Sequence, residues 1–345
     1  MEKCKIRHTQ DRLKRNGRKG IPVNGSLLNS LAVVGSSVVA SSILASAAVF
    51  LVAIPSTVIW SYSVGGLVFA VGLITIFLRG QCQKARGFDK LILLGPVFYA
   101  APIAAFGTEH FTLTKEIASL VPAWIPWHMF WAYFVGACFI AAAFSLVTGI
   151  QARLAASLLA LNFFLFVALM DAPALAENPR DRFALALTLR ELSFCAGPLA
   201  LAVSLTGQGR DRMAHIFATI ARSIIAVTIL FYSIELFLHA DHVPGLPLER
   251  VTPAWIPART LWTYVNAVAY ALAGIPLLLG KKTRAAATWI GLTVFFVVLV
   301  VYVPIAVVDR ASLDDGLNYF GDTLMFCGTV LLLAGAMARE GQERG

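Results

Sequence analysis

Charge is scarce in this chain. Asp, Glu, Lys and Arg make up 14% of its 345 residues, against about 25% in an ordinary soluble domain. Hydrophobic residues make up 58%, with a mean hydropathy of +0.76. That balance excludes a soluble globular domain and points to a polytopic membrane protein of all-α class. Cysteine is also sparse. The five cysteines, Cys4, Cys82, Cys138, Cys195 and Cys327, form no CxxC pair, which excludes a zinc knuckle and a disulfide framework. No haem, flavin or iron–sulfur motif is present.

Acidic residues number 19 against 28 Lys and Arg, a net charge of +9. An excess of that size suits a nucleic-acid binder, but its placement does not. Eight of the basic residues fall within the first 20, and many others lie in short breaks between apolar runs: Arg79, Lys84, Arg86 and Lys90, then Arg153, then Arg210 and Arg212, then Lys281, Lys282 and Arg284. There is no basic amphipathic surface and no nucleic-acid fold motif. The pattern is the positive-inside bias of a bilayer protein.

Ten segments are long and apolar enough to span: 27–53, 57–78, 89–106, 127–147, 150–170, 184–206, 214–238, 258–279, 285–307 and 318–338. Ten spans place both termini in the cytoplasm of a plasma (inner) membrane, with 21 of the 28 basic residues inside. A signal peptide cleaved near Ala45-Ser46-Ala47 is the other reading of the first segment; the continuing apolar run favours a retained hairpin. Predicted inner turns are short. The outer connections, 107–126, 171–183, 239–257 and 308–317, are long.

What is present in place of charge is repetition. Pro122-Ala-Trp-Ile-Pro126 recurs as Pro253-Ala-Trp-Ile-Pro257, 131 positions later. At the same offset Trp131 meets Trp262, Tyr133 meets Tyr264 and Arg153 meets Arg284. With one residue of slip, Phe194-Cys195 meets Phe326-Cys327. The chain thus reads as a basic tail (1–26), a two-helix hairpin and basic loop (27–88), and two four-helix repeats (89–206 and 207–345). Four spans per repeat is an even number, so the repeats run parallel and not inverted. Pro126 and Pro257 are placed in the first helical turn, where proline is tolerated. Pro122, Trp124, Pro253 and Trp255 then form interfacial corners, with the indoles at headgroup depth.

Ionisable residues inside spans are costly and mark sites. Glu235, His239 and His242, at offsets of four and seven, share a helical face that suits proton relay or metal binding; two wet histidines at a helix end are the plainer reading. Arg190 and Glu191 lie in the sixth span, and their counterpart, displaced by one position, is Asp322. Arg190 is expected to pair with Glu191 or Asp171. His128 and Arg259 each follow a corner by two residues and either attract an anion or snorkel. Cys195 and Cys327 read as small apolar packing residues, and Gly136 as a close-approach position. The carboxylates should face helix interfaces, with Arg190, Tyr232, Tyr264 or a histidine as partners. A single ligand site made of Glu235, His239, His242, Asp322 and Tyr264 is expected in the second repeat, below the corner near Trp255, because Pro102 or Ile103 stands opposite Glu235 in the first.

The motif set resembles the DoxX-like (DoxX/DoxD) membrane proteins: His110-Phe111, then Val121 to Pro126, Trp131-Ala-Tyr133, Gly136 and a basic turn with Arg153. The second copy keeps the corner, Trp262-Thr-Tyr264 and Lys282-Thr-Arg284, and has His239 and His242 in place of His-Phe. The resemblance covers both repeats and leaves 1–88 aside. It implies four-helix units and a role as a membrane subunit of a redox system, linked to a quinone or a sulfur compound and to a redox partner subunit. Two further readings stand beside it: a transporter or small-molecule or lipid binding protein with its site in repeat two, and an assembly factor without a site.

Overall fold

The computed structural model describes residues 56–206, 212–246, 250–308 and 313–342. Residues 1–55, which include the expected tail, the first span and the Ala45-Ser46-Ala47 cleavage reading, lie outside them. Nine long helices follow one another: α1 Ser56–Leu78, α2 Gly95–Thr112, α3 His128–Thr148, α4 Ala152–Phe166, α5 Arg182–Ser204, α6 Arg212–Leu238, α7 Arg259–Leu278, α8 Thr283–Val297 and α9 Leu313–Gln342. Among the described residues, nine helical spans are long and apolar enough to cross a bilayer. The protein is an all-α polytopic membrane protein.

Several boundaries differ from the sequence expectation. The α2 helix runs on past 106 to Thr112, and a short helix, Thr114–Leu120, follows it and lies on α3. The α4 helix does not stop at 170. It passes through a π-helical turn, Val167–Asp171, into Ala172–Glu177. The α8 helix does the same through Val298–Tyr302 into Val303–Val308. Each π turn precedes a proline by two residues, Pro173 and Pro304, whose missing N–H breaks the regular ladder and is absorbed by the wider turn.

The prolines of the corners were placed wrongly by sequence. Pro126 and Pro257 stand before the helices, which begin at His128 and Arg259. Each corner is instead a tight turn, closed by Ile125 N–H to Pro122 O at 2.9 Å and by Ile256 N–H to Pro253 O at 3.1 Å. The residues that cap the helices, Trp127 and Ala258, are left-handed, with φ of 60° and 53°. Trp131 Nε1 and Trp262 Nε1 each donate to the closing proline carbonyl at 3.1 Å. Trp124 and Trp127 are exposed at 71% and 78%, as headgroup-level indoles should be.

These pairs are all 131 residues apart, and so are others at the opposite, basic end. Gly149 and Gly280 have φ of 74° and 70°; Gln151 and Lys282 have φ of 53° and 49°. A Cβ on Gly149 would sit 2.8 Å from the Arg79 guanidinium, and one on Gly280 would sit 2.7 Å from that of Arg222. Both arginines cap the preceding helix, to Thr148 O at 2.6 Å and Leu277 O at 2.7 Å. Arg79 and Arg222 are not 131 apart; two different arginines reach the same kind of glycine.

The packing of the halves overturns the picture of two self-contained four-helix bundles. Consecutive helices pack as expected: α2 on α3, α4 on α5, α6 on α7, α8 on α9. But α2 lies along α9, and α6 lies along α5, while α5 and α9 cross at the centre. Each half's first helix therefore completes its burial on the other half's last helix. Tyr99, Tyr232, Phe194 and Phe326 are fully or almost fully buried along these crossings. The α1 helix packs outside this exchange, against α2 and α3.

Candidate functional site

Three polar groupings occupy the interior, and the residues named from sequence divide among them. The first is central. Arg190, about two turns into α5, places Nη1 at 2.6 Å from Asp322 Oδ2 on α9 and Nη2 at 2.7 Å from Glu191 Oε1. One guanidinium thus serves two carboxylates across the helix crossing. At the one-residue slip that aligns Phe194-Cys195 with Phe326-Cys327, Asp322 falls opposite Arg190 and Thr323 opposite Glu191, so the two acids are displaced by one position; just before Asp322 stands Gly321. A side chain there would meet the Phe106 ring, whose Cζ lies 3.0 Å from an added Cβ. Asp171, at the end of the π turn of α4, lies within electrostatic reach of Arg190 and Glu191. It is not the direct partner of Arg190. Asp171 Oδ2 and Arg190 Nε are buried without a hydrogen-bond partner. The nearby hydroxyls are spent on backbone, Tyr99 on Phe194 O at 2.8 Å and Tyr232 on Ala186 O at 3.2 Å.

The second grouping lies nearer the corner end. Glu235, buried on α6, pairs at 2.9 Å with Arg182, the first residue of α5. Arg182 was missed by sequence because it reads as a loop cation beside Asp181, the residue whose carboxylate caps α5 through Phe183 and Ala184 N–H. His239 Nε2 stands 4.0 Å from Glu235 Oε2, and the rings of His239 and His242 are 5.2 Å apart. The three do gather, although α6 ends at Leu238. His242 Nδ1 lies 3.1 Å from Asp241 Oδ1. The exposed Asp241 carboxyl sits below the usual carboxylate range, chiefly through a hydrogen bond with its own backbone and also through His242.

Asp322 and Tyr264 do not join this group. Asp322 belongs to the Arg190 cluster. Tyr264 is 44% exposed on α7 and packs its ring on Phe237, as Tyr133 does on Phe111. His110 bonds one turn back to Phe106 O at 2.8 Å and sets its ring edge-on to Phe139. His128 and Arg259 open α3 and α7, and Arg259 Nη1 reaches Thr252 O at 3.4 Å. Cys195 and Cys327 donate to carbonyls 131 residues apart, Ala160 O at 3.1 Å and Gly291 O at 3.3 Å. Among the described residues no group of three His, Cys, Asp or Glu is placed to hold a metal ion.

The third grouping had no sequence signal beyond the long connection 239–257. That segment turns inward. Val243 N–H bonds Arg250 O at 2.9 Å and Thr252 N–H bonds Asp241 O at 2.8 Å. Between them the tip Pro244–Gly245 enters the bundle. Tyr302 donates to Pro244 O at 2.9 Å and Tyr270 to Gly245 O at 3.1 Å. Val243 and Leu246 are fully buried. Beside the tip, Asn266 and Thr323 are also fully buried, close to the Tyr270 and Tyr302 hydroxyls. Yet Asn266 Nδ2 and Oδ1 and Thr323 Oγ1 make no hydrogen bond of acceptable geometry. No known protein family, curated protein or solved structure matches the chain.

Proposed function

We propose that this protein is a tandem DoxX-like membrane protein that handles protons at its centre, as the membrane part of a redox or transport system. The observation that carries the reading is Arg190 held between Glu191 and Asp322. One guanidinium balances one carboxylate. A second carboxylate in the same low-dielectric interface leaves an uncompensated charge, which costs several kcal/mol. The cluster closes its charge by taking up one monocation, and a proton needs no coordination shell. Asp171, in reach of both partners, is the third acid through which a proton can pass. The duplication itself is supported by the matched corners, π turns and left-handed residues. The charge bias supports an extracytoplasmic corner end and a cytoplasmic basic end in a plasma membrane.

The redox link rests on the resemblance. A quinone head group needs hydrogen-bond donors for its carbonyls. At the centre both Arg190 Nη atoms hold carboxylates and both nearby tyrosine hydroxyls are engaged on backbone; Arg190 Nε alone is without a partner, one donor atom for a molecule with two carbonyls, and no step is routed through a quinone. A purely structural role for the same residues is the second reading. It is favoured by one fact: the Arg190–Asp322 and Arg182–Glu235 pairs both tie helices from different halves.

Infrared spectroscopy of the full chain in nanodiscs separates the two. A proton site gives a protonated-carboxyl band at neutral pH that shifts when aspartate carboxyls carry carbon-13, or that vanishes in Glu191→Gln or Asp322→Asn. It exchanges in heavy water. Absence of any such band shows both acids ionised and leaves the clamp.

A further inference from the structure

We propose that the central carboxylates take up and release protons from the corner end alone, with Asp171 as the entrance. This rests on the proton reading above and adds the side from which the site is reached. Arg190 lies about 12 Å from the corner end of α5 and about 21 Å from its basic end, at about 1.5 Å per residue. Asp171 ends the π turn of α4, about 28 Å from that helix's basic end. The wider turn adds a residue, which swings Asp171 about 100° from the face a regular helix would give it. Asp171 is partly exposed, beside the exposed Ala172, Pro173 and Ala174, yet its Oδ2 is buried and unpartnered. Glu191 and Arg190 are within its electrostatic reach. One carboxyl thus leads from the corner surface toward the centre.

Toward the basic end the way is closed. α5 after Glu191, α9 from Thr323 to Met337 and α2 from Gly95 to Thr108 carry no Asp, Glu, His, Lys or Arg. Cys195 and Cys327 donate to backbone carbonyls, and Phe194 and Phe326 are buried beside them. Thr329, the next hydroxyl along α9 after Thr323, is fully buried with no partner to pass a proton to. The backbones there approach too closely for a file of water. A Cβ on Gly197 would stand 3.0 Å from Thr329 Cα, and one on Gly328 would overlap the Tyr99 backbone nitrogen. The other titratable groups facing the cluster are engaged. Tyr99, Tyr232 and Tyr302 donate to the carbonyls of Phe194, Ala186 and Pro244, and Glu235, a turn beyond Tyr232, is paired with Arg182. Tyr302 ends the π turn of α8 as Asp171 ends that of α4. Where the first half offers an acid, the second offers an uncharged hydroxyl tied to the strap.

The test uses the full chain in liposomes. Vesicles with the basic end outward are removed on streptavidin after labelling with an impermeant biotin-maleimide at Cys82, which is exposed just after α1. The protonated-carboxyl band is then followed by infrared spectroscopy while impermeant buffers step the pH on one side at a time. Expected is a band that grows and shrinks with pH at the corner side and ignores the basic side. Asp171→Asn slows its response about 100-fold, the low end of what a placed proton-transfer group contributes, and Asp171→Glu, which keeps the acid, restores it. A band that follows the basic side, or both sides, overturns one-sided access. A wild-type response in Asp171→Asn overturns the entrance. A chain with no band on either side ends the proton reading itself, which is a separate outcome. The sidedness arm uses only the wild-type chain, so it decides even where a variant does not fold.

Discussion

The corner ends of the two halves share one turn and differ in what precedes it. In the first half the connection is a short helix, Thr114–Leu120, laid on α3. In the second it is a strap whose tip enters the bundle and is gripped by Tyr270 and Tyr302. Yet both arrive at the same tight turn, the same left-handed residue and the same indole-to-proline bond. The repeated Pro-Ala-Trp-Ile-Pro is therefore a folding device that seats the next helix. The polar residues are where the halves disagree: Arg190 against Asp322, Glu191 against Thr323, Asp171 against Tyr302, Phe139 against Tyr270, Val135 against Asn266.

The largest effect tests the central asymmetry. Arg190→Leu removes the cation from two buried carboxylates and should cost about 3–5 kcal/mol, seen as loss of folded protein in the membrane and a lowered Tm in detergent. A stable, abundant variant would mean the acids are already neutral and the arginine dispensable. Next is Glu235→Gln, which breaks the pair with Arg182. It should destabilise by about 1.5–3 kcal/mol, the range for a hydrogen bond to a charged group, and should leave the protonated-carboxyl band of the centre unchanged. Loss of that band would show the two charged groupings to be one system.

If the corners are equivalent, Trp131→Phe and Trp262→Phe each remove one hydrogen bond and should cost about the same, about 1 kcal/mol, by denaturant unfolding. A several-fold difference would break the equivalence. Tyr302→Phe should have little effect on global Tm and should speed amide exchange at Val243 and Leu246, with no change in Thr114–Leu120. The smallest effect is at Asp241. Its folded-state pKa lies below the unfolded value of about 3.9, so its contribution is present above that pH and fades as pH falls below it. Exchange in the strap should therefore quicken in acid, and Asp241→Asn should remove that acid dependence.

Much of this was legible from sequence because bilayer constraints are periodic and strong. The apolar spans follow from them, and so does the burial of Glu235. Three things were not. Arg182 looked like a loop cation, because only the folded register of α5 against α6 brings it to Glu235. The grouping of Asp322 with Glu235 failed because both acids belong to the second half in sequence, while the packing joins Asp322 to the first. The inward strap left no pattern at all: Val243, Pro244, Gly245 and Leu246 read as an ordinary turn, and only the tyrosines around them give it a place to go.

The exchange of first and last helices has a consequence for how the chain is made. The face of α2 that rests on α9 has no partner until α9 is made, some 200 residues later. At about 5–20 residues per second that is a wait of about 10–40 seconds. For that interval the first half is an open structure in the bilayer, with Tyr99 and the α2 face toward lipid or an insertase. A chain cut before α9 would leave that surface permanently bare and become a substrate for quality-control proteases. A gene encoding one half alone could close only by trading helices with a second copy of itself.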